Sequence, residues 1–100
     1  MSLESTTEGL KAKAAAAAPL GHTVRFDLGG DGTIFWDGTG AVPVVNNENH
    51  DAEVTLIISL ADLEALSSGG LDPTMAYMTG RLKIEGSMGV AMKIGQVLGD

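Results

Sequence analysis

Apolar and polar residues alternate over His22-Thr23-Val24-Arg25-Phe26-Asp27-Leu28, the two-residue period of a strand with one buried face. Gly29-Gly30-Asp31-Gly32 follows with residues that tolerate positive φ, which predicts a hairpin and a returning strand, Thr33-Ile34-Phe35-Trp36-Asp37. Gly38-Thr39-Gly40 turns the chain into a third strand, Ala41–Val45, where Pro43 removes a ladder donor and predicts an edge position. Beyond the polar connection 46–51, Glu53–Ile58 reads as a fourth strand, and its nearly continuous apolar run predicts burial on both faces. Arg81–Glu85 alternates again and turns Leu82 and Ile84 inward as a fifth strand.

Helical spacing accounts for the rest. Ser5 and Glu8 have the spacing of a capping box, which predicts a helix over 6–18 that Pro19 forbids from continuing. Its apolar side is mostly alanine, so it contributes little buried area. Ser59 and Asp62 repeat the capping spacing, and Leu60, Leu63 and Leu66 recur at helical intervals up to Gly69-Gly70. Asp72-Pro73 supplies an N-cap and a first helical position for a short helix over 74–78, closed by Gly80. Ser87 caps a last helix, 88–98, whose apolar residues Met88, Val90, Ala91, Met92, Ile94, Val97 and Leu98 cover most of its circumference, so it must be covered on several sides. No internal repeat of solenoid length is present.

The hundred residues are expected to form one domain, 1–100, able to bury roughly two-thirds of the surface its unfolded chain exposes. A ligand cavity fits only where part of that core is left open, because a packed interior has few voids larger than water. Cysteine is absent, which removes disulfides, thiolate zinc sites and a cysteine nucleophile. The net charge of −7 argues against a nucleic-acid partner and against strong attachment to anionic membranes. Residues 1–70 hold ten acids and three bases and residues 71–100 three of each, which points to the last third for any lipid-facing surface. No apolar run reaches the ~20 residues of a membrane span, so no stable insertion is expected and only transient membrane contact is allowed. The alanine run 14–18 is a poor signal peptide with Glu4 and Glu8 ahead of it, and a cytoplasmic protein is the plain expectation. The end Val97-Leu98-Gly99-Asp100 differs from a Ser-Lys-Leu peroxisomal address.

Motifs for chemistry fail one by one. Gly30-Asp31-Gly32 precedes a strand, whereas a dinucleotide fingerprint must open a helix. Asp27–Gly32 departs from a calcium loop at Gly29 and has no closing glutamate. His50, Asp51 and Glu53 could gather a weak cation, but a solvated loop explains them better, and His22 starts a strand. Gly86-Ser87-Met88-Gly89 is too short for a nucleophile elbow, and Ser87 serves as a cap. No carboxylate pair sits in an apolar setting. Neither a catalytic site, a metal nor a cofactor is expected, so the chain reads as a non-enzyme. The anomaly is methionine: Met75, Met78, Met88 and Met92 fall within eighteen residues, either as core fillers or as a lining that adapts to ligands of variable shape.

Residues 72–94, from Asp72-Pro73-Thr74-Met75 through Gly80-Arg81-Leu82-Lys83-Ile84-Glu85-Gly86 to Met88-Gly89-Val90-Ala91-Met92-Lys93-Ile94, resemble the C-terminal signature of sterol carrier protein 2 domains. That signature is a short helix, then Gly-Lys-Leu-Lys-Ile-x-Gly, then Met-Gly-Leu-Ala-Met-Lys-Leu; Arg81, Val90 and Ile94 are conservative departures. The resemblance implies an α+β fold, a five-stranded mixed sheet with helices over one face enclosing an apolar tunnel. It implies binding of long-chain fatty acid, fatty acyl-CoA, phospholipid or sterol. It also implies a cavity lined by Phe26, Leu28, Ile34, Trp36, Leu56 and Ile58 from the sheet and by Met75, Met78, Met88 and Met92 from the helices, with Phe35 and Trp36 left as rivals for the inward position.

The expected function is a stand-alone lipid carrier. The alternative is an accessory or oligomerisation module of a lipid-metabolism system whose cavity is filled. The sequence leaves monomer or homodimer, and sterol or acyl chain, open.

Overall fold

The computed structural model describes residues 2–17 and 19–99. The elements run α1 (Leu3–Ala16), β1 (Thr23–Asp27), β2 (Thr33–Asp37), β3 (Val44–Asn46), β4 (Val54–Ile58), α2 (Leu60–Ser68), α3 (Pro73–Met78), β5 (Leu82–Gly86) and α4 (Met88–Gly99). The sheet order is β3-β2-β1-β4-β5, with one parallel pair, β1 with β4, among antiparallel neighbours. This is the five-stranded mixed sheet of an α+β fold.

Register divides the sheet into two chemically different faces. Val24 opposes Trp36 and Val54, Phe26 opposes Ile34 and Leu56, and Leu56 and Ile58 oppose Ile84 and Leu82. All of these point to the side on which α4 crosses β1, β4 and β5 and α2 packs on α4. The other face carries Thr23, Arg25, Asp27, Thr33, Thr55, Lys83 and Glu85, as the period of two requires. Trp36 therefore faces the helices, where it opposes Val45, and Phe35 faces away from them. Phe35 is nonetheless buried, its ring meeting His50 edge-on at 5.1 Å.

Boundaries shift by one residue at several elements, and by more in the first helix and the third strand. The first helix starts at Leu3 and is capped by Ser2, not Ser5. Ser2 accepts from the Ser5 backbone N–H at 3.1 Å and Ser5 returns a bond to the Ser2 backbone, a reciprocal box three residues upstream of the expected one. The helix ends at Ala16 with Ala17 already extended, short of the expected 18, which lies outside the described residues. The third strand covers only Val44–Asn46, because Pro43 can donate no ladder bond and Gly38–Val42 is spent in the turn. Asp72 occupies the N-cap position of α3, but its side chain makes no capping bond.

The remaining signals act where they were read. Ser59 accepts from the Asp62 N–H at 3.1 Å, and Gly69 closes α2 in the left-handed conformation. Ser87 Oγ accepts from the Val90 N–H at 3.3 Å at the start of α4. Gly86 is obligatory: its φ is +107°, and a Cβ there would lie 2.5 Å from the Glu53 carbonyl oxygen. The chain thus passes close beneath β4 as β5 hands over to α4.

Candidate functional site

The last helix has three longitudinal stripes, which follow from its spacing. Val90, Ala91, Ile94 and Leu98 are buried against the sheet and α2. Lys93 lies on one flank, with Nζ 3.3 Å from His22 Nε2. Met88, Met92, Gly95 and Gln96 lie on the other flank and, with Ala91, form one wall of a groove of about 580 Å³. Leu82 and Ile84 of β5 form its floor, and Asp72, Pro73, Thr74 and Tyr77 at the start and side of α3 form the opposite wall. The groove exists because α3 is a short helix that turns only Ala76 into the core, leaving the strip of sheet between it and α4 only partly covered: Leu82 is buried but Ile84 is half-buried. The two helices meet at one end, where a Cβ on Gly95 would come into ordinary contact with Pro73 Cβ at 3.5 Å.

The groove's chemistry is apolar with a few polar groups: the Thr74 and Tyr77 hydroxyls, the Gln96 amide and the Asp72 carboxylate. Its volume falls in the roughly 300–1,000 Å³ range of small-molecule sites. Met88 and Met92 are 46% and 65% exposed, so their flexible thioethers can be displaced without opening a packed core.

The ten residues expected to line a cavity separate into three groups. Met88 and Met92 line the groove. Phe26, Leu28, Ile34, Trp36, Leu56 and Ile58 are buried together on the helix-facing side of the sheet, in a cluster that also holds Leu10, Leu63, Leu66, Ile94 and Leu98. Met75 and Met78 are 53% and 73% exposed on the outer side of α3. The groove's other residues were not singled out as lining. For Leu82 and Ile84 the inward alternation of the fifth strand was the available signal; for Tyr77, Gly95 and Gln96 the sequence carried none.

The ionisable clusters are structural ties at the surface. Glu53 faces His22 Nδ1 at 3.1 Å and accepts from the Thr23 N–H at 3.0 Å, while Thr23 Oγ1 accepts from the Glu53 N–H at 2.9 Å, stitching the starts of the parallel strands β1 and β4. The His22 contact, then the Thr23 bond, holds the Glu53 carboxyl below the usual glutamate value. His50 turns to Glu48 at 3.0 Å, so His50, Asp51 and Glu53 do not converge on a cation. Among the described residues no group of three or more His, Cys, Asp or Glu side chains is arranged to hold a metal ion. No helix among them is long and apolar enough to cross a membrane.

A model of the SCP-2 sterol transfer family matches residues 3–99. Hydroxysteroid dehydrogenase-like protein 2 of Bos taurus is 36% identical over 78 residues, 74% of this chain and 19% of that protein. The chain therefore spans about a fifth of the length of that curated relative. In solved structures, sterol carrier protein 2 like 2 from Aedes aegypti superposes with a TM-score of 0.75 at 21% identity, covering 95% of this chain and 94% of that one. The palmitated form of that mosquito protein gives 0.74 at 23% identity, covering 100% and 96%.

Proposed function

The chain belongs to the SCP-2 sterol transfer family, and from that premise we propose that it carries a long acyl chain in the groove between α3, α4 and β5. Family membership brings lipid or sterol binding and transfer as the general function. The observation that supports the acyl-chain reading is the groove itself: an apolar floor of Leu82 and Ile84 and a movable wall of Met88 and Met92, with four polar side chains among its eleven lining residues.

The energetics favour a chain over a compact polar ligand. Each methylene moved from water onto such a surface contributes about 0.8 kcal/mol, whereas among the described residues Asp72 is the one charged side chain lining the groove. Binding then rests on burial and depends little on salt. A structural neighbour is described in its palmitated form, in keeping with a fatty-acyl ligand. We place Met88 and Met92 against the chain. Phe26, Ile34, Trp36 and Leu56 act from behind, as the packed support that fixes the position of α4. No catalytic step is assigned, and fatty acid, acyl-CoA, phospholipid and sterol share the same apolar requirement.

A second reading, an accessory or oligomerisation module, draws on the closed packing of the six sheet residues behind the groove. Native mass spectrometry of the protein as purified from cells separates the two. A one-to-one adduct with the mass of an acyl lipid is the expected result; a ligand-free dimer that takes up no added fatty acid from lauric to stearic would replace the carrier by the module.

A further inference from the structure

Resting on acyl-chain carriage in the groove, we infer that Asp72 selects the ligand's head group: an amphiphile whose head donates hydrogen bonds and carries no negative charge is held more tightly than the carboxylate with the same chain. The groove has a polar end. An added Cβ on Gly95 would touch Pro73, so their neighbours in sequence, Gln96 and Asp72, stand where the two helices meet. Met88 begins α4 eight residues before Gln96, about 12 Å away along the helix axis, and Ile84 lies toward the close of β5, next to that start. A chain lying along the groove from Gln96 to Met88 therefore places its head beside the Asp72 carboxylate and its tail over Ile84 and Met88.

Asp72 is free to act on a ligand. It occupies the N-cap position of α3, yet its side chain makes no capping bond, and no other hydrogen bond or ion pair engages it among the described residues. An ionised carboxylate can only accept, so it favours a head that donates, a hydroxyl or an ammonium, and opposes one that is itself anionic. No base offsets it. Among the described residues no Lys or Arg lines the groove. Lys93 leaves α4 on the other flank to meet His22, Arg81 is held by Asp62 at 2.8 Å, and Lys83 lies on the opposite face of the sheet from Leu82 and Ile84. The net charge of −7 acts in the same sense on any approaching anion. Because Asp72 is exposed, water and salt screen it, so the preference amounts to a few-fold in affinity and a fatty acid still binds through its chain.

Asp72→Asn removes the charge while keeping the size and the N-cap preference of the residue, so the fold is retained. Asp31→Asn, in the turn between β1 and β2, makes the same change of net charge away from the groove. Laurate, monolauroylglycerol and dodecylamine, which share a twelve-carbon chain, are each titrated by calorimetry into wild type and both variants. Relative to wild type, Asp72→Asn should bind laurate about threefold more tightly and dodecylamine about threefold more weakly, with monolauroylglycerol nearly unchanged. Asp31→Asn should match wild type for all three. Unchanged affinities of Asp72→Asn for laurate and dodecylamine, or the same shifts in Asp31→Asn, overturn the assignment to Asp72. Wild type that takes up none of the three ligands would instead overturn carriage itself, on which the inference rests.

Discussion

The ammonium of Lys93 on α4 lies 3.3 Å from Nε2 of His22 at the start of β1, on the flank of the helix opposite the groove. An ammonium can only donate, so Nε2 accepts and Nδ1 carries the proton toward the Glu53 carboxylate 3.1 Å away. One flank of the helix is thus tied to the sheet through a surface network, while its other flank is left uncovered over β5.

Acid should loosen this tie. Glu53 has a lowered pKa in the folded protein, so its contribution to stability is present above the ordinary glutamate value and is lost as pH falls through the lowered one. Urea melts from neutral into acid conditions should show wild-type stability declining in that range, and Glu53→Gln should show a shallower decline. Parallel acid limbs in the two proteins would mean that the network contributes nothing.

Gly86→Ala should destabilise the fold by about 2–4 kcal/mol, combining a positive φ with a collision against backbone that has no room to give. Gly80→Ala is the internal standard, with φ +78° but no atom within 4 Å of the added carbon, and should cost only about 1–2 kcal/mol. Denaturant midpoints for the pair isolate the collision from the dihedral, and equal losses would show that the approach to Glu53 is relieved by a shift of β5.

Core and groove should respond differently to truncation. Phe26 is fully buried, so Phe26→Ala is expected to lose about 3–5 kcal/mol. Met92→Ala removes a side chain that is 65% exposed and should lose less than about 1 kcal/mol. Calorimetric melting of both variants without ligand is the check; a loss for Met92→Ala of the size expected for Phe26 would return the methionine to the core.

The order of elements was legible because each carries its own period. Val24, Phe26 and Leu28 alternate with polar residues and so declare which face of β1 meets the helices, and Leu60, Leu63 and Leu66 declare theirs. The choice between Phe35 and Trp36 was not legible, since both are apolar; register with Val24 and Val45 settled it by placing Trp36 on the helix side. The N-terminal cap was ambiguous for a similar reason, because Ser2 and Ser5 have the same three-residue spacing as Ser5 and Glu8. Facing the helices is also different from facing an opening. Whether helices fill the space above a strand depends on their lengths and crossings: Leu10, Leu63, Leu66, Ile94 and Leu98 close it over the centre, and the short α3 leaves it open at the β5 edge. An α4 that is apolar nearly all round foretold contacts on several sides, but not that one of those sides would be Met88 and Met92 over a groove.

Titration of palmitic acid into wild type and Met92→Trp, with a denaturant melt of each protein, tests the central claim most directly. The indole should fill the groove without crowding a packed core, so ligand-free stability should stay within about 1 kcal/mol of wild type. Wild type should bind one palmitate per chain, and the variant should bind at least tenfold more weakly, a loss of about 1.4 kcal/mol. Equal affinity in the two proteins, or no binding by wild type at any salt concentration, would contradict the assignment of the groove as the acyl-chain site.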